Sequence, residues 1–108
     1  MSTLILETEP LAIQVAISNQ KLIIELADGR SITIPLAWYP RLQSGSEEER
    51  QNWQLLGGGY AIEWPDLDEH IGVAGLLAGK RSGESRRSFE IWNSSRTTNK
   101  NGKTAGQT

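Results

Sequence analysis

Three consecutive runs of alternating residues constrain this chain most. In Ala12–Ser18, Ile13, Val15 and Ile17 alternate with Gln14 and Ala16, the two-residue period of a half-buried strand. Asn19-Gln20 marks a tight turn. Lys21–Leu26 follows, with Leu22, Ile24 and Leu26 on one side and Ile23 on the other. Ala27-Asp28-Gly29-Arg30 then supplies the Asp-Gly signal of a hairpin. In Ser31–Leu36, Ile32 and Ile34 alternate with Ser31 and Thr33, and Pro35 sits at the end, where a missing N–H is tolerated. Sequential antiparallel strands need only short connections, so the simplest assembly is a β-meander.

Beyond Leu36 the period is lost. Trp38-Tyr39-Pro40-Arg41-Leu42 is aromatic and holds a proline, which excludes a helix interior there. Ser46-Glu47-Glu48-Glu49 spells a capping box, with acids suited to the positive end of a helix dipole. It predicts a helix to about Trp53, too short to stand alone, which must dock on the sheet. Gly57-Gly58-Gly59 precedes a fourth strand, Tyr60 to Trp64, and glycines in that position suggest a bulge or a close backbone approach. An acidic turn follows from Asp66 to His70. Ile71 and Val73 read as a short fifth strand, and Gly75 to Gly79 as a closing turn or single helical turn. Ser85 to Trp92 reads as a last helix with Phe89 and Trp92 on one face. The fold class expected is α+β: one domain over residues 1–92, then a polar, basic tail over 93–108 that is expected to be disordered.

Several function classes drop out on composition. The chain has no cysteine, which removes disulfides and cysteine-based zinc or redox sites. Its first residues lack a basic stretch and run into Glu7 and Glu9, so they do not read as a signal peptide. No apolar run approaches the roughly 20 residues of a membrane-spanning helix. A cytoplasmic location is expected.

The formal net charge of −2 conceals an asymmetry. Residues 1–79 hold eleven acids against four bases, a net of −7; residues 80–108 hold seven bases against two acids, a net of +5. An acidic body with a basic end points to an acidic partner, nucleic acid included; the alternative is a solvated tail that aids solubility.

The candidate chemistries are each weak. Glu63, Asp66, Asp68, Glu69 and His70 are dense enough for a divalent cation, but they lack the alternate spacing, central glycine and distant glutamate of a calcium loop. The competing reading gives these acids to turn amides and water. His70 is the only histidine and has no serine or threonine beside it; no G-x-S-x-G elbow occurs. Gly79-Lys80 fails as a phosphate loop because Ala74 and Arg81 stand where glycine and Ser or Thr are needed. No catalytic, cofactor-binding or metal-ligating residue is expected, and no cofactor. Four tryptophans remain. Trp38 and Tyr39, with Arg41 able to stack on them, are either a partner anchor or part of a small core.

The middle of the chain resembles a bacterial family, the Domain of Unknown Function number 2442. The features that carry the resemblance run in order: Asp28-Gly29-Arg30, Ile32, Ile34, Pro35-Leu36 and Trp38 to Leu42. Glu49-Arg50, Asn52-Trp53 and Gly57 to Gly59 follow, then Ile62, Trp64 to Glu69 and Gly75-Leu76-Leu77. The resemblance implies a small α+β fold with a meander and a short helix, and carries over no catalytic residue. It implies, through some relatives, a helix-turn-helix neighbour or one half of a toxin–antitoxin-like pair. His70 and Ala74 depart from the acids expected at those positions, and the segment after Gly79 is too short for a helix-turn-helix domain. The expected function is therefore a non-enzymatic protein-binding module, antitoxin-like, with a partner encoded by a neighbouring gene. The alternative is a nucleic-acid-binding accessory using the basic end. The partner-binding candidates are Trp38, Tyr39, Arg41, Lys80, Arg81, Arg86 and Arg87.

Overall fold

The computed structural model describes residues 10–107, with side chains to residue 96. The expected meander is present. Strands β1 (Ala12–Ser18), β2 (Lys21–Leu26) and β3 (Ser31–Pro35) form one antiparallel sheet in that order. Asn19 and Gln20 connect the paired residues Ser18 and Lys21 with φ of 52° and 64°. Positive φ at both positions matches the right-handed twist of the strands they join. In the second hairpin Gly29 has φ of 97°, and the Asp28 carboxylate accepts from the Arg30 N–H at 3.0 Å.

A 3₁₀ turn, Leu36–Trp38, leads into α1 (Pro40–Ser44). The proline stands at the first helical position, where no N–H is needed, so the aromatic stretch starts a helix rather than interrupting one. Helix α2 (Glu47–Gln51) follows and ends about two residues earlier than expected. Its capping box is complete: Ser46 Oγ accepts from Glu49 N at 3.1 Å, and Glu49 Oε1 accepts from Ser46 N at 2.9 Å. Ser46→Ala removes one of these bonds, and thermal denaturation is expected to show a loss of about 1 kcal/mol.

A second antiparallel sheet comprises β4 (Gln54–Leu56), β5 (Ala61–Trp64) and β6 (Glu69–Gly72). The fourth expected strand is β5. Strand β4 was not expected, since three residues carry no period. The expected fifth strand shifts: β6 ends at Gly72, and Val73 instead opens α3 (Val73–Leu77), its N–H donating to Tyr60 O at 2.9 Å. The last helix, α4 (Arg86–Gln107), begins where expected but continues past Trp92. The side chains of residues 97–108, most of the expected tail, lie outside the described residues, as do residues 1–9.

Both sheets face one core. Val15, Leu22, Ile24 and Ile34 from the first sheet meet Ile62, Trp64 and Ile71 from the second, with Leu42, Leu67, Val73 and Leu76 between and around them. Trp64 is wholly buried, and its indole N–H donates to Arg50 O at 3.0 Å, so its one polar group is satisfied. The glycine run joins the sheets. Gly57, Gly58 and Gly59 all have positive φ, and Gly59 O accepts from Ala12 N at 2.7 Å.

Candidate partner-binding surface

The aromatic loop has been drawn inward. Tyr39 belongs to the core at 5% exposure, and its hydroxyl donates to Lys80 O at 2.8 Å. Burial pushes its pKa up, and the nearby Glu69 charge adds to this. Trp38 is half-buried and packs against the core. Tyr39 is therefore unavailable as an anchor, and Trp38 is available only in part.

Arg41 is also occupied within the chain. Its Nε donates to Glu84 Oε1 at 2.8 Å and a terminal nitrogen donates to Glu84 Oε2, the two-pronged geometry that suits a carboxylate. The other terminal nitrogen reaches Asp68 O at 3.0 Å and Asp68 Oδ2 at 3.2 Å. The guanidinium lies 4.6 Å from the centre of the Trp92 ring. The Arg41 hydrogen bonds hold the Glu84 carboxyl below its ordinary value, and those of Glu84 raise Arg41. Arg41 thus serves as a cross-tie from α1 to the segment before α4.

Sequence reasoning missed the companion tie. Arg96, one turn after Trp92, lies over the same ring at 4.6 Å. It donates to both Glu49 oxygens at 3.1 Å and to Asp66 O at 3.2 Å. Phe89 and Trp92 share a face as expected, with ring centres 5.9 Å apart. The only available signal for this tie was the i, i+4 spacing of Trp92 and Arg96 on a continued helix.

The other four candidates remain on the outside. Lys80, Arg81, Arg86 and Arg87 are all exposed. The segment is anchored from below: Lys80 N donates to Gly75 O, Ser82 N to Trp38 O, and Lys80 O receives the Tyr39 hydroxyl. Arg81 stacks over Trp38, its guanidinium 4.4 Å from the ring centre. Glu84, the one acid between these cations, is turned inward to Arg41. Arg86 makes a 3.3 Å ion pair with Glu90 at the surface, an arrangement of little energetic weight. The result is an ordered basic arm backed by buried anchors.

Glu69 lines a shallow cleft of about 230 Å³ beside the arm, with Tyr39, Lys80 and Arg81. Burial raises its pKa, opposed by its bond from His70 N and by Arg41. A raised acid stabilises the fold below its unfolded pKa, and that contribution is lost as pH rises through its folded value. Glu69→Gln, which keeps an acceptor for His70 N, is therefore expected to raise the melting temperature at neutral pH. The gain should shrink as pH falls and vanish below about pH 3, where wild-type Glu69 is protonated in both states.

The remaining acids do not converge. Gln54 bonds Glu63 at 2.6 Å, Asn52 bonds Asp66 at 2.9 Å, and Asp68 faces Arg41. His70 pairs across the sheet with Glu63. Among the described residues there is no group of three or more His, Cys, Asp or Glu placed to hold a metal ion. Among them, too, no helix is long and apolar enough to cross a membrane.

Comparison with known proteins gives a consistent picture. A family model described as "Protein of unknown function (DUF2442)" matches residues 12–82. The chain is similar to a crystal structure of a protein of unknown function from Rhodospirillum rubrum, with 25% identity and a TM-score of 0.63. That match covers 71% of this chain and 95% of the other. No curated protein matches.

Proposed function

This chain belongs to the DUF2442 family of proteins of unknown function, and from that premise we propose that it is a non-enzymatic, antitoxin-like protein-binding module of the cytoplasm. Its contact surface is the basic arm, and its partner is a protein with an acidic face encoded by a neighbouring gene. One observation carries this reading. Glu84 is withdrawn to Arg41 while Lys80, Arg81, Arg86 and Arg87 stay exposed on a segment fixed by Tyr39 and Trp38. An ordered cationic surface loses little conformational entropy on binding and steers an acidic partner toward it.

The experiment is co-expression of the full chain with the product of the adjacent gene. A stable complex on co-purification is expected. A lone chain eluting without that product would count against the reading.

A second reading rests on the same four cations: the arm contacts nucleic-acid phosphates. Binding of a short DNA duplex would then weaken steeply with salt. Salt-independent or undetectable binding removes that reading and leaves the first in place.

A further inference from the structure

We infer that the free edge of β1 pairs antiparallel with β1 of a second copy of this chain, joining two three-stranded sheets into one of six strands. Among the described residues strand β1 stands at the edge of its sheet, with β2 as its only strand partner. The two-residue turn makes Ser18 and Lys21 a hydrogen-bonded pair, and such pairs alternate along the ladder. Ala16 therefore turns its N–H and C=O toward β2, whereas Val15 and Ile17 turn theirs outward. Among the described residues no backbone group meets them. Among those residues the Val15 carbonyl receives the Gln14 side-chain amide at 3.4 Å. An open groove of about 570 Å³ lies beside this stretch, bounded on its far side by Glu47, Arg50 and Trp53.

Exposed edges are normally guarded by charge, proline, bulges or shortness. The sheet's other edge, β3, ends on Pro35; β4 has three residues, and β6 carries Glu69 and His70. The β1 bulge lies between Ala12 and Gln14, before the free stretch. Gln14 to Ser18 holds no charge at all.

The free stretch is self-complementary. A two-fold axis through Ala16 sets Val15 of one copy opposite Ile17 of the other, so that each such pair exchanges both N–H···O bonds. Ala16, small and exposed, meets its counterpart on the axis. Gln14 lies beside Ser18 of the second copy, a neutral polar pair. Glu25 pairs with Gln14 and Lys21 with Ser18 within each copy. The antiparallel arrangement therefore puts Glu25 of one copy level with Lys21 of the other, across three strand spacings of about 14 Å. Parallel pairing would set like charges level. The uncharged, self-complementary seam favours a second copy over a charged peptide, and the level Glu25 and Lys21, separated by more than the screening length of about 8 Å, are at least not opposed to it.

The test is light scattering and sedimentation on the full chain. A dimer in the micromolar range is expected. Ala16→Lys and Ala16→Glu each place like charges on the axis and should weaken the dimer at least about tenfold. Mixing the two variants should restore it. Amide exchange at Val15 and Ile17 should slow as wild-type concentration rises, a readout that does not depend on the variants folding. A wild-type chain that stays monomeric overturns the inference, as does a dimer indifferent to both charges. So does a dimer that forms only when residues 1–9 are removed, because the chain's own start would then be the occupant of the edge.

Discussion

Gly59→Ala is expected to lower stability by about 3–5 kcal/mol. Gly59 has φ of 116°, a region that residues with a side chain rarely adopt. An added Cβ would stand 2.3 Å from Ala12 O and 3.0 Å from Ala12 N. Those are backbone atoms, so no side-chain rotation relieves the clash. The same Ala12 N donates to Gly59 O at 2.7 Å, so separating the two also breaks a bond between the sheets. Gly58→Ala is the control: φ is 75°, and nothing lies within 4 Å of the added carbon. It should cost only the backbone strain, about 1–2 kcal/mol. Melting temperatures will separate the two, at about 4–8 °C per kcal/mol for a domain of this size. Equal losses would mean that the Gly59–Ala12 approach is not a structural tie.

The second large effect is expected from the end of the chain. Removing residues 93–108 deletes Arg96, whose guanidinium bonds Glu49 and Asp66 O and covers Trp92. Both side chains of the Arg96–Glu49 pair are well screened from solvent, at 18% and 16% exposure. Charge-assisted bonds in such a setting contribute about 1.5–3 kcal/mol. Among the described residues the buried Arg96 Nε has no hydrogen-bond partner, which offsets part of that gain. Arg96→Ala is expected to cost about 2 kcal/mol, and the deletion at least as much, because it also removes helix that supports Trp92. A deletion without effect on denaturant midpoint would place the boundary of the domain at residue 92, as composition alone suggests.

That contrast marks where the sequence is legible. The meander could be read because its period of two is uninterrupted and its turns use Asn19-Gln20 and Asp28-Gly29. The α2 start could be read because a capping box is a local hydrogen-bond pattern. Phe89 and Trp92 could be placed on one face because helix geometry is local. The partners of Arg41 could not be read: they lie 27 and 43 residues away. Glu49 lies 47 residues from Arg96. A polar stretch such as Asn93 to Lys103 carries no apolar period, so nothing in its composition shows that one arginine docks. The site was legible to the same extent. The sequence singled out the cations of Lys80 to Arg87, which the structure leaves exposed, but left open whether Trp38 and Tyr39 face a partner or the core. A small domain that must fill its core with large side chains takes Tyr39 inward.

The proposal that the arm is the contact surface can be tested directly by calorimetric titration of the adjacent gene's product. The wild-type chain would be compared with one carrying Lys80→Glu, Arg81→Glu, Arg86→Glu and Arg87→Glu. All four residues are exposed, so the fold should survive, as circular dichroism would verify. The arm as contact surface predicts an affinity lower by at least about a hundredfold in the reversed chain, from like-charge juxtaposition and lost pairs. It also predicts wild-type binding that weakens with added salt. Equal affinity of the two chains, with no salt dependence, would contradict it.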